Sequence, residues 1–154
     1  MAKEVFDEGK GAKEGGFEPI IVAYCCNWCS YAGADLAGTS RFEYPSNVRI
    51  IRVMCTGRID PTIVLETLRM GADGVLIAGC HPGDCHYQKG NFMMENRFSF
   101  MKKAVERIGI EPERVRLEWI SASEGGKFAA LIRELTEQLR ELGPSPFRVE
   151  GNVK

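Results

Sequence analysis

Six cysteines carry the chemistry of this sequence: Cys25, Cys26, Cys29, Cys55, Cys80 and Cys85. They crowd into one stretch of the chain, and none follows Cys85. Cys26-Asn27-Trp28-Cys29 is a C-x2-C pair, Cys80 to Cys85 is a C-x4-C loop, and Cys55 stands alone. Thiolates are soft, charged donors that suit iron–sulfur clusters and zinc. Plant-type ferredoxins wrap a [2Fe–2S] cluster with a C-x4-C-x2-C run and one distant cysteine. The same parts occur here in another order. Structural zinc is the competitor, but its usual signature is two C-x2-C knuckles, and only one is present. A thiol redox pair would account for Cys26 and Cys29 and leave the others unexplained. All six thiols are therefore candidate metal ligands, with a [2Fe–2S] cluster preferred. Cys80, Cys85, Cys55 and Cys29 are the first four. Cys25 and Cys26 are adjacent, and side chains alternate along a strand, so at most one of that pair ligates.

The residues around the thiols add little independent chemistry. His81 and His86 flank the C-x4-C loop and read as hydrogen-bonding neighbours, since enough thiols are present. Asp84 reads as a turn residue. Gly79 and Gly83 would let backbone approach a cluster's sulfides. Trp28 and Tyr31 shield a cluster from water, contact a partner, or pack in the core. Gly33 to Gly38 lacks the lysine and spacing of a phosphate loop. No nucleophile–base pair or paired carboxylate stands out.

These thiols need elements to position them. The chain has 154 residues, 44% hydrophobic and 27% charged, enough for one domain with a full core. Its formal charge of -1 argues against a dominant nucleic-acid surface. No apolar run approaches the roughly 18 residues of a membrane span, and Met1 to Gly16 lacks a signal peptide's apolar region. A cytoplasmic, reducing setting is expected. Apolar runs predict strands at 18–24, 48–54, 74–79 and 115–120. Helices are expected after Tyr31, after Asp60-Pro61, over 91–109 and after Ser121, where Ser121 and Glu124 have capping-box spacing. Gly71 and Gly143-Pro144 are stop signals. Met94, Phe98, Met101, Val105 and Ile108 recur on one helical face.

Strand and helix thus alternate four times. The expected fold is a single α/β domain, flavodoxin-like or Rossmann-like, with about four parallel strands and flanking helices. The first strand should lie between the second and third. The cysteines then fall at or just past the C-terminal ends of strands 1–3, the edge where such sheets bind ligands. The expected organisation is a polar N-terminal tail over 1–16, an iron–sulfur domain over 17–143, and an extended tail over 144–154. Arg41, Arg49, Arg52 and Arg58 are candidates for a partner-facing basic patch, and Pro146-Phe147-Arg148-Val149 for a docking segment.

Four motifs together carry a resemblance. They are Cys25 to Asp35, Arg49 to Arg58, Gly71 to Val75, and Gly79 to Tyr87. The pattern resembles the methyl-viologen-reducing hydrogenase delta subunit family over about Pro19 to Leu142. The resemblance implies a small, non-catalytic electron-transfer subunit with a [2Fe–2S] cluster. It implies a [NiFe] hydrogenase or formate dehydrogenase as donor. The implied acceptor is the flavin-containing subunit of heterodisulfide reductase, the site of electron bifurcation in methanogenesis. The reading from residues alone keeps an alternative of another class, a zinc-stabilised protein-interaction domain without redox activity.

Overall fold

The computed structural model describes residues 16–148. Four strands, β1 (Ile21–Cys26), β2 (Val48–Val53), β3 (Gly74–Gly79) and β4 (Val115–Trp119), form one parallel sheet in the order β2-β1-β3-β4. Four helices connect and follow them: α1 (Ser30–Thr39), α2 (Pro61–Arg69), α3 (Gly90–Arg107) and α4 (Gly125–Leu142). Single 3-10 turns lie at Thr56–Arg58 and Pro112–Arg114. The expected α/β domain, with β1 between β2 and β3, is present.

Both faces of the sheet are covered. Ile21, Ala23, Cys25, Leu76 and Ala78 pack against α1 and α4 through Ala34, Ala37, Phe128, Ile132 and Leu135. Tyr24, Val75 and Ile77 face α2 and α3 through Val64, Leu68, Met94, Met101 and Val105. β3 is buried along its whole length, as a continuous apolar run in a parallel sheet requires. β2 is an edge strand, and its arginines blunt the exposed edge. Arg49 and Arg52 lie on opposite faces of it, Arg52 over the Tyr31 ring at 5.2 Å. The four arginines therefore do not share one face.

Local signals account for most boundaries. Asp60 caps α2, its carboxylate accepting from the Thr62 N–H at 2.8 Å, with Pro61 in the first turn. Gly71 ends α2 at φ 104°, a conformation that costs glycine little. Three expectations need correcting. β1 begins at Ile21 rather than at residue 18, though it ends on Cys25 and Cys26 as expected. Ile108 lies past the end of α3 and is exposed, off the apolar face. The capping box is only half made: the Glu124 carboxylate accepts from the Ser121 N–H at 2.7 Å, but Ser121 Oγ meets Ser123 Oγ.

The amino-terminal edge of the sheet, opposite the thiols, is clasped by charge. Asp73 is fully buried, accepting from the Ile20 N–H (2.8 Å), the Ser145 N–H (2.9 Å) and Arg148 (2.6 Å). Buried Arg114 bridges the carbonyls of Asp73 and Gly143 and pairs with Glu111. The chain past Pro144 is thus tied to the domain through Arg148, whose guanidinium is committed to Asp73. Val149 and the rest of the expected tail lie outside the described residues, as do residues 1–15. Among the described residues, no helix is long and apolar enough to cross a membrane.

Candidate metal centre

The chain runs from β1 outward to β2, then returns across β1 to β3 and β4. Where the direction reverses, between the carboxyl ends of β1 and β3, a crevice opens. Cys26 is the last residue of β1, and Cys80 directly follows β3. Between them a tight turn, with the Cys29 N–H on the Cys26 carbonyl at 3.4 Å, delivers Cys29 into α1. Cys26, Cys29 and Cys80 are buried, with all three sulfurs within 4.8 Å of one another. Cys26 and Cys80 stand 3.6 Å apart, and Cys29 donates to Cys80 at 2.7 Å.

A second pair lies beside this trio. Cys55, just past β2, and Cys85, in the loop after β3, have sulfurs 4.0 Å apart. The Cys26 thiol reaches the Met54 carbonyl at 3.7 Å, which joins the two groups. Five of the six candidate thiols are therefore brought to one edge. Cys25 is not with them. It is fully buried among Ile21, Ala23 and the residues of α1 and α4, on the face that alternation assigns it. Burial pushes its thiol up to about 12.

Precise supports hold the crevice. Ser30, fully buried, donates to the Ala78 carbonyl at 2.5 Å and accepts from the Cys26 N–H at 2.7 Å, locking β1 to β3 at the thiols. His81-Pro82-Gly83-Asp84 is a turn closed by the Asp84 N–H on the His81 carbonyl at 2.9 Å. Proline second and a glycine at φ 92° third is the type II pattern. Buried Asn91 holds the loop by donating to the Cys80 and His81 carbonyls at 3.1 and 2.9 Å. Gly90 opens α3 directly against the second pair. A Cβ there would stand 2.0 Å from Cys55 Sγ and 3.3 Å from Cys85 Sγ, so only glycine fits.

The thiols differ in charge preference. Cys26 is lowered to about 6, chiefly by the hydrogen bond from Cys29 against the opposing effect of burial. Cys29 is driven strongly up, first by its contact with Cys26 and then by burial. Burial raises Cys80 to about 11 and raises Cys55. At Cys85 burial also pushes up, but the N–H groups of Asn91, Tyr87 and Gly90 outweigh it and the net shift is down. Amides aimed at a sulfur favour the thiolate, which is the form that binds metal.

Around the thiols, Trp28 is half-exposed and stacks on His86 at 3.7 Å, its Nε1 donating to the Tyr87 hydroxyl at 3.3 Å. Tyr31 packs on the core instead. His81 pairs with Glu124 at 2.6 Å. Neither Glu124, Ser30, Asn91 nor Gly90 was singled out from sequence as part of this site. Their partners lie up to 48 residues away, and no local spacing announces them.

The family model for the methyl-viologen-reducing hydrogenase delta subunit matches residues 21–143. This chain belongs to that family. Among its relatives is the iron-sulfur protein of the vhc F420-non-reducing hydrogenase of Methanococcus voltae. It is 52% identical over 132 residues, 86% of this chain and 92% of that one. The corresponding iron-sulfur protein of the F420-non-reducing hydrogenase of Archaeoglobus profundus is 52% identical over 131 residues, 85% of this chain and 96% of that protein. A third relative is far longer. It belongs to the ferredoxin/F420H2-dependent CoB-CoM heterodisulfide reductase of Methanosarcina acetivorans. This reductase component is 52% identical over 137 residues, 88% of this chain but 17% of that protein.

The bond from His81, helped by the Ser121 N–H, holds the Glu124 carboxyl down at about 2 against an ordinary 4.5. A carboxylate lowered on folding stabilises the fold above its unfolded value, and that contribution is lost as pH falls through the folded value. Stability should therefore drop between about pH 4.5 and about pH 2. Urea unfolding at pH 7 and at about pH 3 checks it: Glu124→Gln should be weaker at pH 7 and lose less on acidification. Equal losses in both proteins would remove the pair from the account.

Proposed function

We propose that this chain is an electron-relay subunit holding one [2Fe–2S] cluster in the crevice between β1 and β3. It passes electrons from a [NiFe] hydrogenase or formate dehydrogenase to the flavin-containing subunit of heterodisulfide reductase. The observation that carries the reading is the convergence of five thiols, in two groups, at the switch point of a parallel sheet. The names of the relatives, two iron–sulfur proteins of hydrogenases and one component of a heterodisulfide reductase, support the assignment of partners.

The distances support a particular ligand set. Two thiolates on one tetrahedral metal with bonds of about 2.3 Å stand roughly 3.8 Å apart. Cys26–Cys80 at 3.6 Å and Cys55–Cys85 at 4.0 Å match that edge. Cys29 completes the buried trio beside Cys80. Cys26 and Cys80 would then hold one iron, and Cys55 and Cys85 the other. Cys29 would then lie against the ligand sulfur of Cys80, where it would tune potential rather than hold metal. Cys25 belongs to the core. The cluster supplies a one-electron couple. The chain supplies a rigid, largely dry cradle and amides aimed at the sulfurs, and it makes or breaks no substrate bond.

Anaerobic iron and acid-labile sulfide analysis, with EPR of the dithionite-reduced protein, tests this. Two irons, two sulfides and an S = 1/2 signal per chain are expected. Zinc without sulfide would overturn the relay and leave a structural metal domain.

A further inference from the structure

A groove of about 490 Å³ opens beside Cys55 of the second thiol pair, which lines it. Met54, Tyr87 and Met93 form its apolar walls, and each is about half exposed, at 51%, 51% and 47%. These three side chains line one groove rather than lying scattered. Tyr87 continues the apolar strip to Trp28, through its hydroxyl and an edge-on ring contact at 6.4 Å. Among the described residues, the charged ones lining the groove are Arg58 and Lys89. Both are exposed, and among the described residues neither forms an ion pair. The whole chain is nearly neutral, so this positive rim is a local arrangement and not a reflection of net charge.

We propose that this groove is the docking face for a redox partner protein that presents an apolar centre rimmed by carboxylates. The composition is that of an interface core: methionine and aromatic residues, arginine at the rim, and no acidic group among the described lining residues. The continuous strip from Met54 to Trp28 extends past the groove, which fits a protein face better than a small ligand. Unpaired Arg58 and Lys89 meet carboxylates with little loss, because no internal partner must be given up. Complementary charge of this kind speeds encounter and fixes orientation. The position is also the useful one. A partner seated there lies against the Cys55 side of the thiol cluster, with only the groove wall between. This inference rests on the relay reading for its purpose, but its test does not depend on electron transfer.

The experiment titrates the iron-loaded chain with two probes, purified [NiFe] hydrogenase and purified heterodisulfide reductase, at low and high salt. Native protein should bind at least one of them, more tightly at low salt. The double variant R58E/K89E should bind it at least about tenfold more weakly and lose most of the salt dependence. M93D should weaken the same complex, while the visible spectrum and circular dichroism of all variants stay native. Native binding to neither probe, or unchanged affinity in the variants with the cluster intact, would overturn the docking face. So would flavin mononucleotide competing at the groove, or a self-dimer abolished by R58E/K89E, since each names a different occupant. Absence of iron and sulfide in native protein would overturn the relay reading, whatever the binding shows.

Discussion

Cys80→Ser should strip the protein of its metal. Cys80 is the hub of the crevice, 3.6 Å from Cys26 and 2.7 Å from Cys29, and it follows directly on the most buried strand. Serine keeps the size but offers a hard, high-pKa hydroxyl in place of a soft thiolate, which is a poor exchange for iron. Even residues that merely orient a ligand cost about 10- to 100-fold in metal affinity when changed. Loss of a ligand should exceed that, leaving less than about a tenth of the native iron after gel filtration. Cys29→Ser is the control that makes the test sharp. On the proposed ligand set it keeps both irons and both sulfides and shifts only the reduction potential and the EPR line shape. A Cys80→Ser protein with full iron and an unchanged spectrum would remove Cys80 from the set. A Cys29→Ser protein without iron would exchange Cys29 for Cys26.

The second large effect is one of stability, at the far end of the sheet. Arg114→Ala should cost about 3 kcal/mol or more, because it removes a buried guanidinium on which several carbonyls converge; Glu111, 42% exposed, regains water and adds little. The Arg114 side chain is 0% exposed. It donates to the carbonyls of Asp73, Gly143 and Pro144 and pairs with Glu111 at 2.7 Å. Without it, three carbonyls that converge on one point lose a partner, at about 1–3 kcal/mol for each that water cannot reach. A domain of this size has roughly 5–15 kcal/mol in total, so the variant should stand near the edge of folding. Urea unfolding measures it, and a loss under about 1 kcal/mol would show that the clasp contributes little. Because Arg114 precedes β4 at the edge opposite the thiols, the folded fraction of the variant should still carry its iron.

Much of the fold was legible because its determinants are local. Asp60-Pro61 and Gly71 bracket α2 by capping and by backbone freedom, and both act within a few residues. The apolar run Gly74 to Gly79 could only be a strand buried on both faces. Errors came where a local signal met a competing partner. Ser121 and Glu124 have the spacing of a capping box, yet Glu124 also answers to His81, and α4 starts later, at Gly125. Ile108 fits the apolar period of α3, but the helix ends one residue before it, and the side chain turns outward.

By itself the sequence determined that the chain alternates strand and helix, that its thiols gather near strand ends, and that Cys25 and Cys26 part company across the sheet. Periodicity and chain order suffice for all three. Tertiary structure alone decided which sulfurs meet: Cys26 with Cys80, Cys55 with Cys85, and Cys29 as a donor between. It alone showed that Gly90 is small because Cys55 is there, and that Ser30 and Asn91 pin the crevice. These contacts span up to 54 residues of chain. They exist only once the parallel register of β1 on β3 has set the two strand ends side by side. No spacing rule reaches across such a gap, because the sheet, and not the chain between, sets the distance.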